Sequence, residues 1–203
     1  MKNKLSPRIS LVIIAAVFLL PLLLAWFMYS GTIDYKPGTT RNFGDLVEPP
    51  VPLNWEQIQL ISEADEPSVR AAIDVFDQHW VVLYRVTGDC GPSCVQDLTS
   101  LRQVHRAAGR NQSRIMLTLL LEGEGQADTM QLLREIYSQF NFVRDPSGEA
   151  ASSLDQAAAK PIGAYLIDPL GNIMMTYAAG ADPNHLKQDL KRLLTWSKLD
   201  EQS

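Results

Sequence analysis

Two hydrophobic patterns divide the chain. Ile9 to Tyr29 is one apolar run of 21 residues without a charge. Downstream, short apolar runs bounded by Gly, Pro and Ser alternate with stretches whose apolar residues recur every three or four positions. The first kind of run reads as a strand and the second as a helix with one buried face. Trp55–Ile61 alternates well enough for a strand. Residues 63–77 are ambiguous: Val69, Ala72, Ile73 and Phe76 fit a helical face, but an extended lead-in fits too. Trp80–Val86 is a buried strand. After Cys94, Val95, Leu98, Leu101, Val104 and Ala108 keep helical spacing. Arg114–Leu121 is a second strand, apolar enough to lie in a parallel sheet covered on both faces. Ala127–Phe140 is a helix with Met130, Leu133, Ile136, Tyr137 and Phe140 on one side, and residues 149–159 form another. Ile162–Asp168 and Ile173–Tyr177 form a hairpin across Asp168-Pro169-Leu170-Gly171-Asn172. Asp182 caps a last helix with Pro183 at its first position and a stripe of Leu186, Leu190, Leu193 and Leu194.

The first run is long enough to matter. At ~1.5 Å per residue, 21 residues span about 31 Å, the thickness of a bilayer core. Pro21 is tolerated in such a helix. Lys2, Lys4 and Arg8 precede the run with no acid among them, which keeps the N-terminus in the cytoplasm. The run exceeds a signal-peptide core, and no small-x-small cleavage site follows it. Trp26 and Tyr29 suit an interfacial anchor. The expected organisation is a cytoplasmic N-terminus over residues 1–8, a transmembrane helix over 9–29, a tether over 30–54 and a folded domain over 55–203. The tether carries Pro37, Pro49, Pro50 and Pro52 with Gly31, Gly38 and Gly44. The domain then faces the outside of an inner membrane, the periplasm in a bacterium.

Charge narrows the partners. The net charge of −5 becomes −8 once Lys2, Lys4 and Arg8 are set apart. Such an acidic domain is a poor match for nucleic acid. Arg102, Arg106 and Arg110 nevertheless recur every four residues, either as a solvated helix face or as a docking stripe.

Candidate chemistry centres on Cys90 and Cys94, the only cysteines in 203 residues. They sit in the turn Thr87-Gly88-Asp89-Cys90-Gly91-Pro92-Ser93-Cys94, between the first buried strand and its helix. The first turn of a helix presents unpaired N–H groups and the positive end of its dipole, which favour a thiolate. Asp89 opposes this slightly. The compartment permits a disulfide, and four residues of separation on a first turn fall within the ~4.4–6.8 Å Cα range a bridge requires. An inert bridge is the competing reading, although so short a loop constrains the unfolded chain little. His105 lies eleven residues past Cys94, about 16 Å along a helix, and is not a ligand to the same metal. His79 and His185 read as surface histidines. One of Met174 and Met175 enters the core.

The order β-α-β-α-β-β-α, with cysteine opening the first helix, is the α/β thioredoxin-like arrangement. Cys90-Gly91-Pro92-Ser93-Cys94 resembles the thioredoxin Cys-Gly-Pro-Cys turn with one residue inserted. Its Cys-x-x-x-Cys spacing, the hairpin Tyr165-Leu166-Ile167-Asp168-Pro169-Leu170-Gly171, the leucine-rich last helix and the anchor together resemble the Sco/SenC family. Asn42-Phe43-Gly44-Asp45-Leu46 and Leu101–Arg110 are similar to a Sco-like group associated with bacterial cytochrome oxidase assembly. The resemblance implies a single-span protein that delivers copper to cytochrome c oxidase or acts on its cysteines. Its client would be an oxidase subunit or another assembly factor. It also exposes a departure. The family's copper site adds a His five residues before the hairpin Tyr, and here that position is Lys160. An ammonium has no lone pair for copper. Cys90 and Cys94 alone can hold soft Cu(I). Lys160 would instead depress the Cys90 pKa and favour exchange, with Pro161 in the place of the family's proline opposite the cysteines.

Three functions remain open at this point. The first is a Sco-like assembly factor working through Cys90 and Cys94, by thiol–disulfide exchange or Cu(I) handling. The second is a non-catalytic binding module with a structural disulfide. The third is a general periplasmic thiol–disulfide oxidoreductase.

Overall fold

The computed structural model describes residues 6–29, 41–61, 72–122, 127–158 and 162–197. Helix α1, Pro7–Tyr29, is one unit and contains Pro21. Its stretch Arg8–Phe27 has a mean hydropathy of 2.8, long and apolar enough to cross a membrane. The second unit begins at Asn42.

That unit is built on one sheet of seven strands in the order β1-β7-β6-β3-β4-β5-β2. The strands are β1 Asp45–Pro52, β2 Gln59–Leu60, β3 Trp80–Thr87, β4 Ile115–Glu122, β5 Asn141–Arg144, β6 Ile162–Ile167 and β7 Asn172–Ala178. β3 and β4 run parallel in register from Trp80 opposite Ile115 to Thr87 opposite Glu122. β5 adds parallel to β4. β6 and β7 return antiparallel as the expected hairpin. The helices are α2 Ile73–Phe76, α3 Pro92–Ala107, α4 Ala127–Ile136, α5 Glu149–Ala157 and α6 Pro183–Trp196.

The near-continuous apolar runs of β3 and β4 follow from burial on both faces. Val82, Val86, Leu119 and Leu121 point into one core with Leu98 and Leu101 of α3, Leu133 of α4 and Leu186 and Leu190 of α6. Val81, Leu83 and Leu120 point into the other, with Phe76 of α2 and Leu154 of α5. The alternation places α3 and α6 together on one side of the sheet and α2 and α5 on the other.

Three segments differ from the sequence pattern. Residues 45–52, expected within a tether, form β1 against β7, with Asp45 opposite Thr176 and Val51 opposite Ile173. Val47 and Val51 are buried there. The prolines fit because the strand is at the sheet edge and irregular between Leu46 and Val51. Residues 55–61, expected as a strand, form a tight helical turn capped by Asn54 and then the two-residue β2. Trp55 turns inward to pack 4.8 Å from Phe76. The helix expected to reach Phe140 stops at Ile136. Tyr137 and Phe140 are core residues all the same, held in the turn that leads into β5. In the described part of the ambiguous 63–77 segment, Ile73–Phe76 is helix, and residues 62–71 lie outside those described.

Asp189 locks the start of the second unit to α6. It is 2% exposed. Its Oδ2 accepts from Phe43 N at 2.9 Å, Gly44 N at 3.0 Å and Tyr177 Oη at 3.0 Å. Phe43 stacks on His185 at 4.7 Å, with the Arg192 guanidinium 5.4 Å from its ring centre. Gly44 has no room for a side chain: an added Cβ would sit 2.7 Å from the Tyr177 ring.

Candidate redox site

The site is made where β3 ends. Gly88 turns the chain at φ +79°, a conformation glycine adopts without strain. Gly91 precedes the first helical residue, Pro92, and provides no side-chain cap. Pro at this position costs nothing, because its missing N–H would be unpaired anyway. Cys94 therefore lies in the first turn of α3, and Cys90 lies just before it. The two form a disulfide with Cα atoms 5.3 Å apart. Both are half-buried and pack on the α3–α6 core, while Asp89, Gly91, Pro92 and Ser93 are exposed.

Polar groups gather on the turns that follow. Tyr84 of β3 donates to Asp97 Oδ2 at 3.3 Å. Burial, then the Asp97 charge and this hydrogen bond, push the Tyr84 phenol up to about 12. Asp97 is three residues beyond Cys94, a separation that puts side chains on one helix face. Tyr137 donates to the Val95 carbonyl at 3.1 Å and bonds Thr99 Oγ1 at 2.9 Å, fixing the first turns of α3 against the end of α4.

A small cavity of about 40 Å³ opens at this end of the sheet, lined by Asp97, Leu101, Gly163, Tyr177, Ala181 and Leu186 among others. It belongs to the cysteine end because β6 runs antiparallel to β3, so the start of β6 lies beside the end of β3. Gly163 sits where the β6–β7 register shifts. A Cβ there would meet Ala179 Cα at 2.9 Å and the Ala178 oxygen at 3.0 Å. The Gly163 backbone thus forms the wall facing α3. Tyr177 ties this wall to the Asp189 clamp, and burial followed by the Asp189 carboxylate raises its phenol strongly.

On the opposite face, Arg85 pairs with Glu122 and Asp155, both at 2.5 Å. Burial alone would lower the Arg85 pKa, but the two carboxylates more than offset it and hold the guanidinium charged.

A family model described as the transmembrane-like, thioredoxin-like C-terminal domain matches residues 80–197. The chain belongs to this family. The match covers β3 to the end of α6, and with it the disulfide and the cavity. Among solved structures, the apo Sco1 protein of Thermus thermophilus is 13% identical with a TM-score of 0.54, covering 77% of this chain and 99% of its own. Copper-bound ScoI of Arabidopsis thaliana is 14% identical with a TM-score of 0.50, covering 61% of this chain and 88% of its own. The thioredoxin domain of a Bacteroides vulgatus thiol-disulfide oxidoreductase, 14% identical, reaches a TM-score of 0.49 over 70% of this chain and 96% of its own. At these identities the likeness is one of fold. No curated protein matches the sequence.

Within this thioredoxin-like domain the candidate residues separate clearly. Cys90 and Cys94 are joined. Lys160 and Pro161 lie outside the described residues. His79 is at the far end of β3, His105 Nε2 lies 3.2 Å from the Gln112 and Ile115 carbonyls, and His185 stacks on Phe43. Met175 is buried and Met174 only partly. Among the described residues, no three His, Cys, Asp or Glu side chains cluster as a metal site. Two features near the site escaped the sequence pattern. The Tyr84–Asp97 pair has no motif, although Asp97 on the face of Cys94 was a usable signal. Asp189 was signalled by an acid three residues after Leu186 and one before Leu190, on the buried side of α6.

Proposed function

We propose that this is a membrane-anchored thiol–disulfide exchange protein of Sco-like type, with a cytochrome c oxidase subunit as client and its domain in the periplasm. The Cys90–Cys94 disulfide carries the reading: it opens α3, is partly exposed, and lies at the cavity end of the sheet. A bridge that served stability alone would gain little from a loop this short. In the reduced protein the Cys90 thiolate attacks one sulfur of a client disulfide, forming a mixed disulfide and releasing one client thiolate. The Cys94 thiolate then displaces the second client sulfur. The client gains two electrons and two protons, and the Cys90–Cys94 disulfide is the product. Lys160, two residues before β6, supplies a cation that lowers the Cys90 pKa, with Pro161 bordering the client.

Copper would be cargo here. When reduced, Cys90 and Cys94 offer two soft sulfur donors, which suit Cu(I). Among the described residues, no cluster of three His, Cys, Asp or Glu side chains includes them.

The test uses Cys94→Ser, which cannot resolve a mixed disulfide. It should trap a Cys90-linked oxidase subunit in membranes, and Cys90→Ser should trap nothing. Oxidase maturation that survives Cys90→Ser would refute exchange and copper handling together and leave a binding module. Cu(I) competition on the reduced chain, against a Cys90/Cys94 double serine variant, separates the two uses of the sulfurs. A trapped client that is not an oxidase subunit would point to a general oxidoreductase.

A further inference from the structure

The end of the domain away from the disulfide is basic, although the domain as a whole is acidic. Two cavities share Asn111 there. One, of about 310 Å³, is lined by His79, Arg110 and Arg114 with Gln78 and Ser113. The other, of about 250 Å³, runs between α3 and α6. Its floor is apolar, formed by Val104, Ala108, Leu190 and Leu194, and Lys187 and Lys191 stand at its rim. Among the described residues, no acidic side chain lines either cavity. Arg110, Lys187 and Lys191 are exposed, and none of them is in an ion pair with a described residue. Asp189, the acid of α6 nearest these lysines, is buried against Phe43, Gly44 and Tyr177.

The local structure accounts for some of these cations and not others. Arg114 fastens the end of α6 by donating to the Leu194 and Ser197 carbonyls at 2.9 and 2.7 Å. His105 and Arg106 sit in the last turn of α3, where the helix dipole favours cations. Lys187 and Lys191 lie within α6, away from its C-terminal end, and Arg110 follows α3. Neither a dipole nor a partner calls for them.

We infer that this basic, apolar-floored groove docks on the anionic phospholipid headgroups of a bilayer. The inference rests on α1 being a membrane anchor. Twelve residues separate α1 from Asn42, so covalent geometry keeps Asn42 within about 45 Å of that helix. An anionic surface is then always close. The spread of three unpaired cations over two open cavities suits a layer of phosphates better than one carboxylate. The apolar floor accepts the glycerol and upper acyl carbons between them. Docked this way, the domain presents the Cys90–Cys94 end away from the lipid, toward a client.

The experiment uses the full chain in lipid nanodiscs of phosphatidylcholine alone, or with about 30% phosphatidylglycerol. Acetylation rates of Lys187 and Lys191 by an N-hydroxysuccinimide ester are read residue by residue. Each Lys or Arg near an anionic surface is worth about fivefold in partitioning. Both lysines should therefore react at least about fivefold more slowly in the anionic discs. About 0.5 M NaCl should restore the rate by screening. Arg110→Glu should restore it too, with near-UV circular dichroism confirming the fold. Equal rates in both discs would overturn the inference and point to a protein segment as occupant. So would shielding that Arg110→Glu leaves unchanged. A chain that does not enter the discs removes the anchor, and the inference with it. Disulfide exchange does not enter this readout, so loss of the exchange function would leave the result standing.

Discussion

Replacing Asp189 by Ala should cost the domain about 2–4 kcal/mol, from the hydrogen bonds lost by a buried carboxylate. The structure shows where the cost arises. Asp189 is 2% exposed and accepts three hydrogen bonds of 2.9–3.0 Å. A hydrogen bond to a charged group contributes about 1.5–3 kcal/mol. Phe43 is 45% exposed, so the amides of the 43–44 segment recover part of their loss from water once the clamp is gone. The Tyr177 hydroxyl is buried and keeps only the weak Met175 Sδ acceptor at 3.6 Å, and a poorly satisfied buried donor costs about 1–3 kcal/mol. Asp189→Asn keeps the shape and one acceptor oxygen but loses the charge, so it should cost less, about 1–2 kcal/mol. Urea unfolding followed by tryptophan fluorescence measures both, because Trp55 and Trp80 are buried. Limited trypsin cleavage after Arg41 reports the clamp locally, and Ala should speed it more than Asn. An Asp189→Ala stability within about 0.5 kcal/mol of wild type, the usual span of a neutral surface change, would refute the reasoning.

Gly163→Ala should destabilise by about 1–3 kcal/mol, because the new methyl meets backbone it cannot displace. The same variant should slow exchange with a client, read by a turbidity or fluorescent-peptide assay, since the wall facing α3 moves. Leu98→Ala, at a fully buried position under the cysteine helix, should cost about 2–5 kcal/mol in urea unfolding. Alkaline pH should weaken the domain. The Tyr84 phenol is raised from 10.0 to about 12 by burial and Asp97, so the folded state holds its proton longer than the unfolded chain. Its contribution is complete below pH 10 and is lost as pH rises towards 12. Tyr84→Phe should flatten that slope in a pH series of unfolding midpoints, and an unchanged slope would disprove the assignment.

The strongest sequence signals were those fixed by local chemistry. Pro183 at a helix start, Asp182 accepting from Asn184 N at 2.9 Å, and the Asp168–Asn172 turn all stand where the sequence places them. The doubly apolar β3 and β4 announced a covered sheet, and the cysteine turn fell at its expected junction. Tertiary context decided the rest. β1 was hidden because Pro49, Pro50 and Pro52 argue against a strand until an edge position is known. Tyr137 and Phe140 kept helical spacing yet reach the core from a turn, since periodicity records burial and not backbone form. The Tyr84–Asp97 pair joins two elements thirteen residues apart, and no linear pattern carries such a contact. Lys160 and Pro161 were placed by resemblance alone and lie outside the described residues.

The edges of the sheet have a consequence for how copies of the domain meet one another. An open strand edge is a template on which another chain can add, and from which aggregates grow. One edge here is β1, where three of eight residues are proline and lack the N–H that an added strand would need. The other is β2, only two residues long. Among the described residues, neither edge offers a long ladder. Copies of the domain therefore have little means of zipping together along these edges. An extended chain of any kind likewise gains little backbone pairing at these two described edges.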